Sequence, residues 1–365
     1  MKTILHCFKM PHGTYIGGIA AMMNSYMANS GLFEKNGYEE MLFDYQNPVI
    51  NKIKISPIET CIYGVYQYNS LKKRLNKESV NIVHIHTSRN SLFFKDVLLG
   101  QRIQKKTGVK VIMTVHVGDI STVFEKIPDA IKKWLIELIN KYFSKIIFLT
   151  KSIETQFIDS GLQKEKAVVL YNFCDINVSK RKKSDSNKPL ELLYVGMINR
   201  AKGILELLDA LNTIDNHYDI HLSICGEITE PNIEEEFKQK INKLSGKVSV
   251  LGYVKGKQKE QLFENSDVLV LPSHHEGFPL VILEALSSGC SIITTRVGAI
   301  PEVLGRENCI FVEIGNSDSI KNAVERMYNN KQLICDMGSA NLQLSERFSK
   351  ENHINQLCSI YNEII

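Results

Sequence analysis

No run of about 18 apolar residues occurs anywhere in this 365-residue chain, so no membrane-crossing helix is expected. The start, Met1-Lys2-Thr3 followed by only a short apolar run, does not read as a signal peptide. The eight cysteines (Cys7, Cys61, Cys174, Cys225, Cys290, Cys309, Cys335, Cys358) contain no C-x-x-C pair. Scattered in this way, they read as small buried hydrophobes in a reducing compartment. No H-E-x-x-H and no Cys/His cluster suggests zinc. Charge of one sign is missing too: 44 basic residues face 40 acidic ones, and a net charge of +4 does not argue for nucleic acid. Low-complexity runs and short solenoid repeats are absent. With 44% apolar and 23% charged residues, the chain is not a disordered tail, a collagen-like repeat or a coiled coil. The expectation is a cytoplasmic protein.

What is present is alternation. The length suggests about two domains. Thr3–Phe8, Met41–Tyr45, Val80–His86, Lys110–Val117, Lys145–Leu149 and Ala167–Tyr171 read as strands, with helical segments such as Gly18–Asn29 and Asp129–Phe143 between them. Nearly continuous apolar strands between helices predict a parallel sheet covered on both faces. The pattern breaks over Val178–Pro189, where SKRKKSDSNKP is too polar to bury itself and reads as a linker. It then restarts, with strands at Leu190–Val195, His221–Cys225, Val248–Leu251, Asp267–Leu271, Ser291–Thr295 and Cys309–Val312. The expected fold class is therefore α/β: two Rossmann-like, doubly wound domains, residues 1–177 and 190–348, facing a cleft. Residues 349–365 form an amphipathic segment that could pack back on the first domain.

The segment DVLVLPSHHEGFPLVILEALSSGCSIITTRVGAIP, Asp267–Pro301, carries most of the chemistry. A helix should begin near Pro279, since Pro suits a first helical turn, and Gly289 should stop it. Leu280, Val281, Ile282, Leu283, Ala285 and Leu286 are apolar nearly all round, so the helix should be buried. Glu284 is its only charge, and a buried carboxylate is costly unless it meets specific donors. Sugar or ribose hydroxyls would be such donors. The helix start offers unsatisfied N–H groups, and Gly277 allows close approach, which together suit a phosphate oxygen. Glu276 stands at the mouth of the same site.

Glu276 and Glu284 form E-x7-E within EGFPLVILEAL. With the flanking P-S and G-A-I-P-E, this resembles the signature of the large retaining glycosyltransferase family numbered 4 ("glycosyl transferases group 1"), of GT-B fold. The resemblance implies that Glu276 contacts donor-sugar hydroxyls and that Glu284 binds the ribose. It also implies that backbone N–H groups of Phe278, Leu280 and Val281 hold the distal phosphate.

In YVGMINRAKG, Tyr194–Gly203, the cations Arg200 and Lys202 lie in a loop at a strand end. They either neutralise a leaving diphosphate or belong to a solvated loop. The family has an Arg and a Lys here, but Met197 stands where many members carry Arg, and Arg200 would substitute for it. Tyr253 and Val254, after a strand ending at Gly252, would lie near the nucleobase by resemblance; Gly226 and Gly252 equally suit plain turns. Gly17 and Gly18, between the first strand and the first helix, do not complete G-x-G-x-x-G. By resemblance they approach a substrate, and a purely conformational role is the alternative. His116, in TVHVGD at a strand end, matches a family T-x-H histidine that touches the donor sugar near the reaction centre; otherwise it is a core histidine. His84 and His86 read as structural. Asn172 and Asp175 match part of an N-G-V-D-like segment.

The resemblance implies a retaining transfer of a hexosyl or N-acetylhexosaminyl group from a nucleotide-diphosphate sugar, UDP before GDP, to a hydroxyl of a glycan or lipid-linked glycan. Polysaccharide or lipopolysaccharide assembly is its setting by family habit. Donor binding is expected in the second domain and acceptor binding in the first. No D-x-D occurs, so a metal-diphosphate bridge is not expected, and Glu276, His116, Lys202 and Arg200 are the candidate catalytic residues. No cofactor is expected. Basic groups at Lys72–Arg74 and Lys77, at Arg102, Lys105 and Lys106, and at Lys132 and Lys133 beside Trp134 suit an anionic bilayer or solvated helix faces. A nucleotide-sugar epimerase of the same fold, or a non-catalytic nucleotide-sugar sensor, are the alternatives. A nicotinamide oxidoreductase lacks its glycine fingerprint.

Overall fold

Apolar, β-branched runs become strands, and the amphipathic stretches between them become the covering helices. The computed structural model describes residues 1–8, 18–44, 57–88, 91–117, 121–124, 127–174, 188–244 and 246–365. Gly17, Asp175 and the expected linker up to residue 187 lie outside the described residues. Two compact units form: Met1–Asn172 with Lys350–Ile365, and Phe173–Ser349.

The first unit holds β1 (Lys2–Phe8), β2 (Tyr38–Asp44), β3 (Ile82–Thr87), β4 (Lys110–Val115), β5 (Lys145–Phe148) and β6 (Ala167–Val169), in the spatial order β2-β1-β3-β4-β5-β6. All pairings are parallel. Burial on both faces explains the largely apolar character of the inner strands β1, β3, β4 and β5. β3 is buried at every position even though two of its six residues are His84 and His86. β4 and β6 end two residues earlier than the β-prone sequence suggests. The helix Pro57–Leu75 has no counterpart in the sequence reading. Its mixture of Tyr, Val and Gly among polar residues blurs the helical period.

The boundary of the second unit falls before the polar stretch. Phe173 is buried, and the Cys174 N–H donates to Phe348 O at 3.0 Å. The C-terminal helix Lys350–Asn362 belongs to the first unit, where it buries Ile354, Leu357 and Tyr361. It also supplies His353, whose Nε2 meets Tyr26 OH at 2.7 Å and whose Nδ1 meets Tyr171 O at 2.8 Å.

This unit should be acid-sensitive. Burial holds the His84 imidazole well below its ordinary value, reinforced by His6, His116 and His353. Burial brings His353 down to about 4, opposed by its bond to Tyr171. Below about pH 6.5 the unfolded chain binds protons that these folded imidazoles refuse, so stability is present above that pH and is lost as pH falls toward about 4. The loss is about 1.4 kcal/mol per pH unit for each imidazole kept neutral. The denaturation midpoint should drop between about pH 7 and about pH 5. His353→Gln should lessen that drop, and a flat midpoint would contradict the assignment.

The second unit holds β7 (Leu190–Val195), β8 (Ile220–Cys225), β9 (Val248–Gly252), β10 (Val268–Leu271), β11 (Ser291–Thr295) and β12 (Cys309–Val312). Its all-parallel order, β12-β11-β10-β7-β8-β9, is the doubly wound mononucleotide order, with the chain reversing direction between β7 and β10. Ligands of such sheets sit beyond the carboxyl ends of the strands at that reversal. Leu192, Leu222, Val268, Val270 and Ile293 form the apolar centre that fixes the two central strands.

Candidate functional site

The loops leaving β7 and β10 meet at the reversal point. After β7, the Asn199 side chain accepts the Lys202 N–H at 3.1 Å and starts a short 3-10 turn, Arg200–Lys202. Gly203 ends the turn in the left-handed region, φ 67°. A Cβ at Gly203 would stand 2.1 Å from Pro272 O, so only glycine lets this loop lie against the one following β10. The His274 N–H donates to Ala201 O at 2.9 Å and ties the two loops together.

This packing brings Lys202 to Glu276. Lys202 Nζ donates to Glu276 Oε1 at 2.6 Å, and Ser273 Oγ donates to the same oxygen at 2.7 Å. The Glu276 side chain is only 8% exposed and that of Lys202 is 18% exposed, so the pair is shielded from screening by bulk water while remaining reachable. On the far side, Gly298 (φ 56°) lies under the loop: its Cβ would be 2.1 Å from Gly277 O and 2.4 Å from Glu276 O. The Ala299 N–H donates to Gly277 O at 2.8 Å.

The helix Leu280–Ser288 begins immediately beyond. Pro279 is its N-cap and offers no capping side chain, so the first-turn N–H groups of Leu280 and Val281 lack intrahelical acceptors and face any anion placed there. Gly289 stops the helix at φ 73°. The Phe278 ring is buried edge-on against Phe348, with centroids 5.6 Å apart.

Glu284, in the second turn, is buried as expected, but its donor is a protein group that the sequence did not single out. Lys259 Nζ, from the helix Lys257–Asn265, donates to Glu284 Oε1 at 2.6 Å. Glu284 Oε2 is buried and meets no hydrogen-bond partner among the described residues. A buried carboxylate oxygen left open in this way is a ready acceptor for a ligand hydroxyl. Lys259 is hidden because it is one of three lysines in KGKQKEQ; Ser273 and Gly298 lie in the P-S and G-A-I-P-E that flank the motif, but the sequence does not say what they touch.

Arg200 is not brought to this group. Its Nη2 donates to Glu236 at 2.7 Å, its backbone N–H donates to Glu230 at 3.1 Å, and its side chain is 55% exposed. Tyr253 and Val254 follow β9, with Val254 buried. Cys225, at the end of β8, is pushed up to about 11 by burial against the opposing pull of Lys259, so it stays a thiol and is no nucleophile at neutral pH. In the first unit, Gly18 opens the helix Gly18–Ala28, and among the described residues nothing lies within 4 Å of a Cβ placed there. His116 follows β4, with its Nε2 at 3.1 Å from His86 Nδ1. Burial brings it down to about 3, with His353 adding to the effect, so it is a neutral imidazole at neutral pH.

The sequence profile described as "Glycosyl transferases group 1" matches residues 175–347, and that of "Glycosyltransferase Family 4" matches residues 34–178. An uncharacterized glycosyltransferase of Methanocaldococcus jannaschii is 25% identical over 371 residues, 100% of this chain and 99% of the relative. The capsular polysaccharide biosynthesis glycosyltransferase CapM of Staphylococcus aureus is 28% identical over 236 residues, 60% of this chain and 62% of the relative. HepE of Anabaena, solved with UDP-glucose, superposes with a TM-score of 0.73 at 17% identity, covering 100% of both chains. Two doubly wound parallel sheets on this pattern make a GT-B fold, and the two sequence profiles give its class as glycosyltransferase. The chain belongs to glycosyltransferase family 4.

Proposed function

We propose that the protein is a retaining glycosyltransferase that takes a hexosyl or N-acetylhexosaminyl group from a nucleotide-diphosphate sugar, UDP before GDP, and places it on a hydroxyl of a glycan or lipid-linked glycan in cell-surface polysaccharide assembly. The observation that carries this reading is the Lys202–Glu276 pair beside an uncapped helix start, with the open oxygen of Glu284 in the second turn of the same helix. Glu276, the helix start and Glu284 match sugar, diphosphate and ribose in turn. Lys202 turns from Glu276 to the departing diphosphate, helped by the N–H groups of Leu280 and Val281. Glu276, freed from Lys202, holds the sugar hydroxyls and offsets charge at the anomeric carbon. Glu284 Oε2 accepts from the ribose. No covalent nucleophile is assigned among the described residues: the acceptor hydroxyl attacks from the face the diphosphate leaves, and the diphosphate takes its proton. Metal-free turnover is part of the proposal. A trapped glycosyl-enzyme ester would overturn the same-face step.

Acceptor recognition falls to the first unit. There, Ile131 and Trp134 are exposed beside Lys132 and Lys133, a combination suited to an anionic membrane surface. CapM, a capsular polysaccharide enzyme, and HepE, which binds UDP-glucose, support the substrate class. The test is a donor panel. The melting temperature should rise with one UDP-, GDP- or ADP-sugar, and that sugar should then be turned over with release of its nucleoside diphosphate. A panel in which no nucleotide sugar binds would contradict the reading.

Lys259→Met removes the ammonium from Glu284 and leaves a buried carboxylate with no cation. The KM for the donor should rise about tenfold with kcat nearly unchanged, as for an interaction shared by ground and transition states. A fall in kcat at constant KM would place Lys259 in the chemistry instead.

A further inference from the structure

A chain of buried side chains crosses the first sheet in strand order, one group from each of β2, β1 and β3 and one from the end of β4. Glu40 Oε1 meets His6 Nε2 at 2.9 Å, His6 Nδ1 meets His86 Nε2 at 2.9 Å, and His86 Nδ1 meets His116 Nε2 at 3.1 Å. The registers explain the alignment. Glu40 is level with Ile4, His6 with His84, and His86 with Thr114. Each step therefore moves one strand across and two residues toward the carboxyl ends, staying on one face. Glu40, His6 and His86 are buried, and His116 is half-buried at the carboxyl edge.

A metal centre does not fit these rings. The ligating nitrogens of His6, His84 and His86 lie within 4.8 Å of one another. However, His84 and His86 stack with centroids 4.2 Å and planes 29° apart, so their in-plane lone pairs run side by side and do not converge. Both His84 nitrogens are also engaged, with Tyr361 OH at 2.9 Å and Thr114 Oγ1 at 2.7 Å.

A hydrogen-bonded file of neutral imidazoles has one direction at a time. If His6 Nε2–H donates to the Glu40 carboxylate, His6 Nδ1 must accept from His86 Nε2–H. His86 Nδ1 then accepts from His116 Nε2–H, and His116 Nδ1 is left as a lone pair. We propose that Glu40, His6, His86 and His116 form a proton relay that takes up one proton at His116 Nδ1 and stores it on His6 against Glu40. The proton comes from solvent or from a ligand group hydrogen-bonded to His116 Nδ1, not from the attacking hydroxyl, whose proton the diphosphate takes. His116 Nε2–H passes its proton to His86 Nδ1, and His86 Nε2–H passes its own to His6 Nδ1. His6 becomes an imidazolium facing the Glu40 carboxylate, and the group that lost the proton keeps its electron pair.

The surroundings drive the proton inward. Glu40 Oε2 is buried with no hydrogen-bond partner among the described residues, so the carboxylate is poorly satisfied until a cation forms beside it. Burial, with His84, His6, His116 and His353 adding to it, keeps the His86 imidazole well below its ordinary value, so charge does not rest there. The other titratable groups facing the relay are His84, His353, Tyr26, Tyr361 and Cys358. Burial keeps the two tyrosines well above their ordinary values and pushes Cys358 up to about 12, so these three supply no charge.

The use of the relay in transfer rests on the glycosyltransfer reading above, but the relay itself does not. The test is nitrogen NMR of the full-length protein labelled in histidine, followed across pH. His6, His86 and His116 should change together with one apparent midpoint, and His116 should exchange its Nε2 proton for an Nδ1 proton without holding both. In Glu40→Gln, a shape-conserving change, the midpoint should move to lower pH by about 1–3 units, because the charge that attracts the proton is gone. The pH profile of kcat/KM should move the same way. Three independent midpoints, a doubly protonated His116, an unmoved midpoint in Glu40→Gln, or zinc that binds the rings and abolishes the exchange would each overturn the proposal. The wild-type measurement decides even if the variant fails to fold, and a cooperative exchange without nucleotide-sugar binding would sink the transferase reading alone.

Discussion

Glu276→Gln is expected to lower kcat/KM for transfer by about 10²- to 10³-fold, with kcat falling alongside and the melting temperature moving by only a few degrees. The amide keeps the shape that fills the loop and keeps an oxygen for Ser273 and Lys202, which lie 2.7 and 2.6 Å from the present carboxylate. What it loses is the negative charge. In a site this shielded, that charge does two things: it holds Lys202 in place before the donor arrives, and it faces the positive charge that develops at the anomeric carbon as the diphosphate leaves. An effect confined to KM would mean that Glu276 only binds the sugar. Wild-type turnover would remove it from the mechanism.

Gly298→Ala should produce a comparable loss through the backbone. A Cβ at Gly298 would overlap Gly277 O at 2.1 Å and Glu276 O at 2.4 Å, on a residue held at φ 56°. Neither contact is the end of a flexible side chain, so the loop carrying Glu276 must shift. Gly315 is the internal control: its φ is 71°, and a Cβ there meets nothing within 4 Å. Both alanines bear the left-handed strain of about 1–2 kcal/mol, but only Gly298→Ala adds the overlap. The melting temperature should fall further in Gly298→Ala than in Gly315→Ala, and only Gly298→Ala should lose donor affinity. Equal behaviour of the two would show that the Glu276 loop does not depend on this close approach.

These two positions also show what the sequence reveals and what it hides. The strands of the second sheet are written in its apolar runs. Leu190–Val195, Ser291–Thr295 and Cys309–Val312 form as expected, because β-branched and apolar residues dominate each run and turn residues bound it. Gly289 and Pro279 bracket their helix for the same local reasons, φ freedom at one end and a missing N–H at the other. The burial of Glu284 follows from a helix apolar all round. Its partner Lys259 does not, since a lysine among lysines carries no mark of the carboxylate it will meet across 25 residues. Arg200 shows how neighbouring carboxylates escape a local reading. Its position in the loop suggests a cation for the diphosphate, and nothing local predicts that its guanidinium lies against Glu230 and Glu236 from the next crossover. The alternation of His84 and His86 on a strand predicts only a shared face. It took the registers of four neighbouring strands to align Glu40, His6, His86 and His116 in a single file.

The central claim is that the second unit holds a nucleotide-diphosphate sugar along Glu276, Lys202 and Glu284. The most direct measurement is a crystal structure of the protein with the nucleotide sugar that the donor panel selects. The expected result has the diphosphate at the N–H groups of Leu280 and Val281 with Lys202 Nζ turned onto it, the ribose on Glu284 Oε2 and the sugar on Glu276. A nucleotide bound elsewhere, with the Lys202–Glu276 pair intact and Glu284 Oε2 still without a partner, would contradict it.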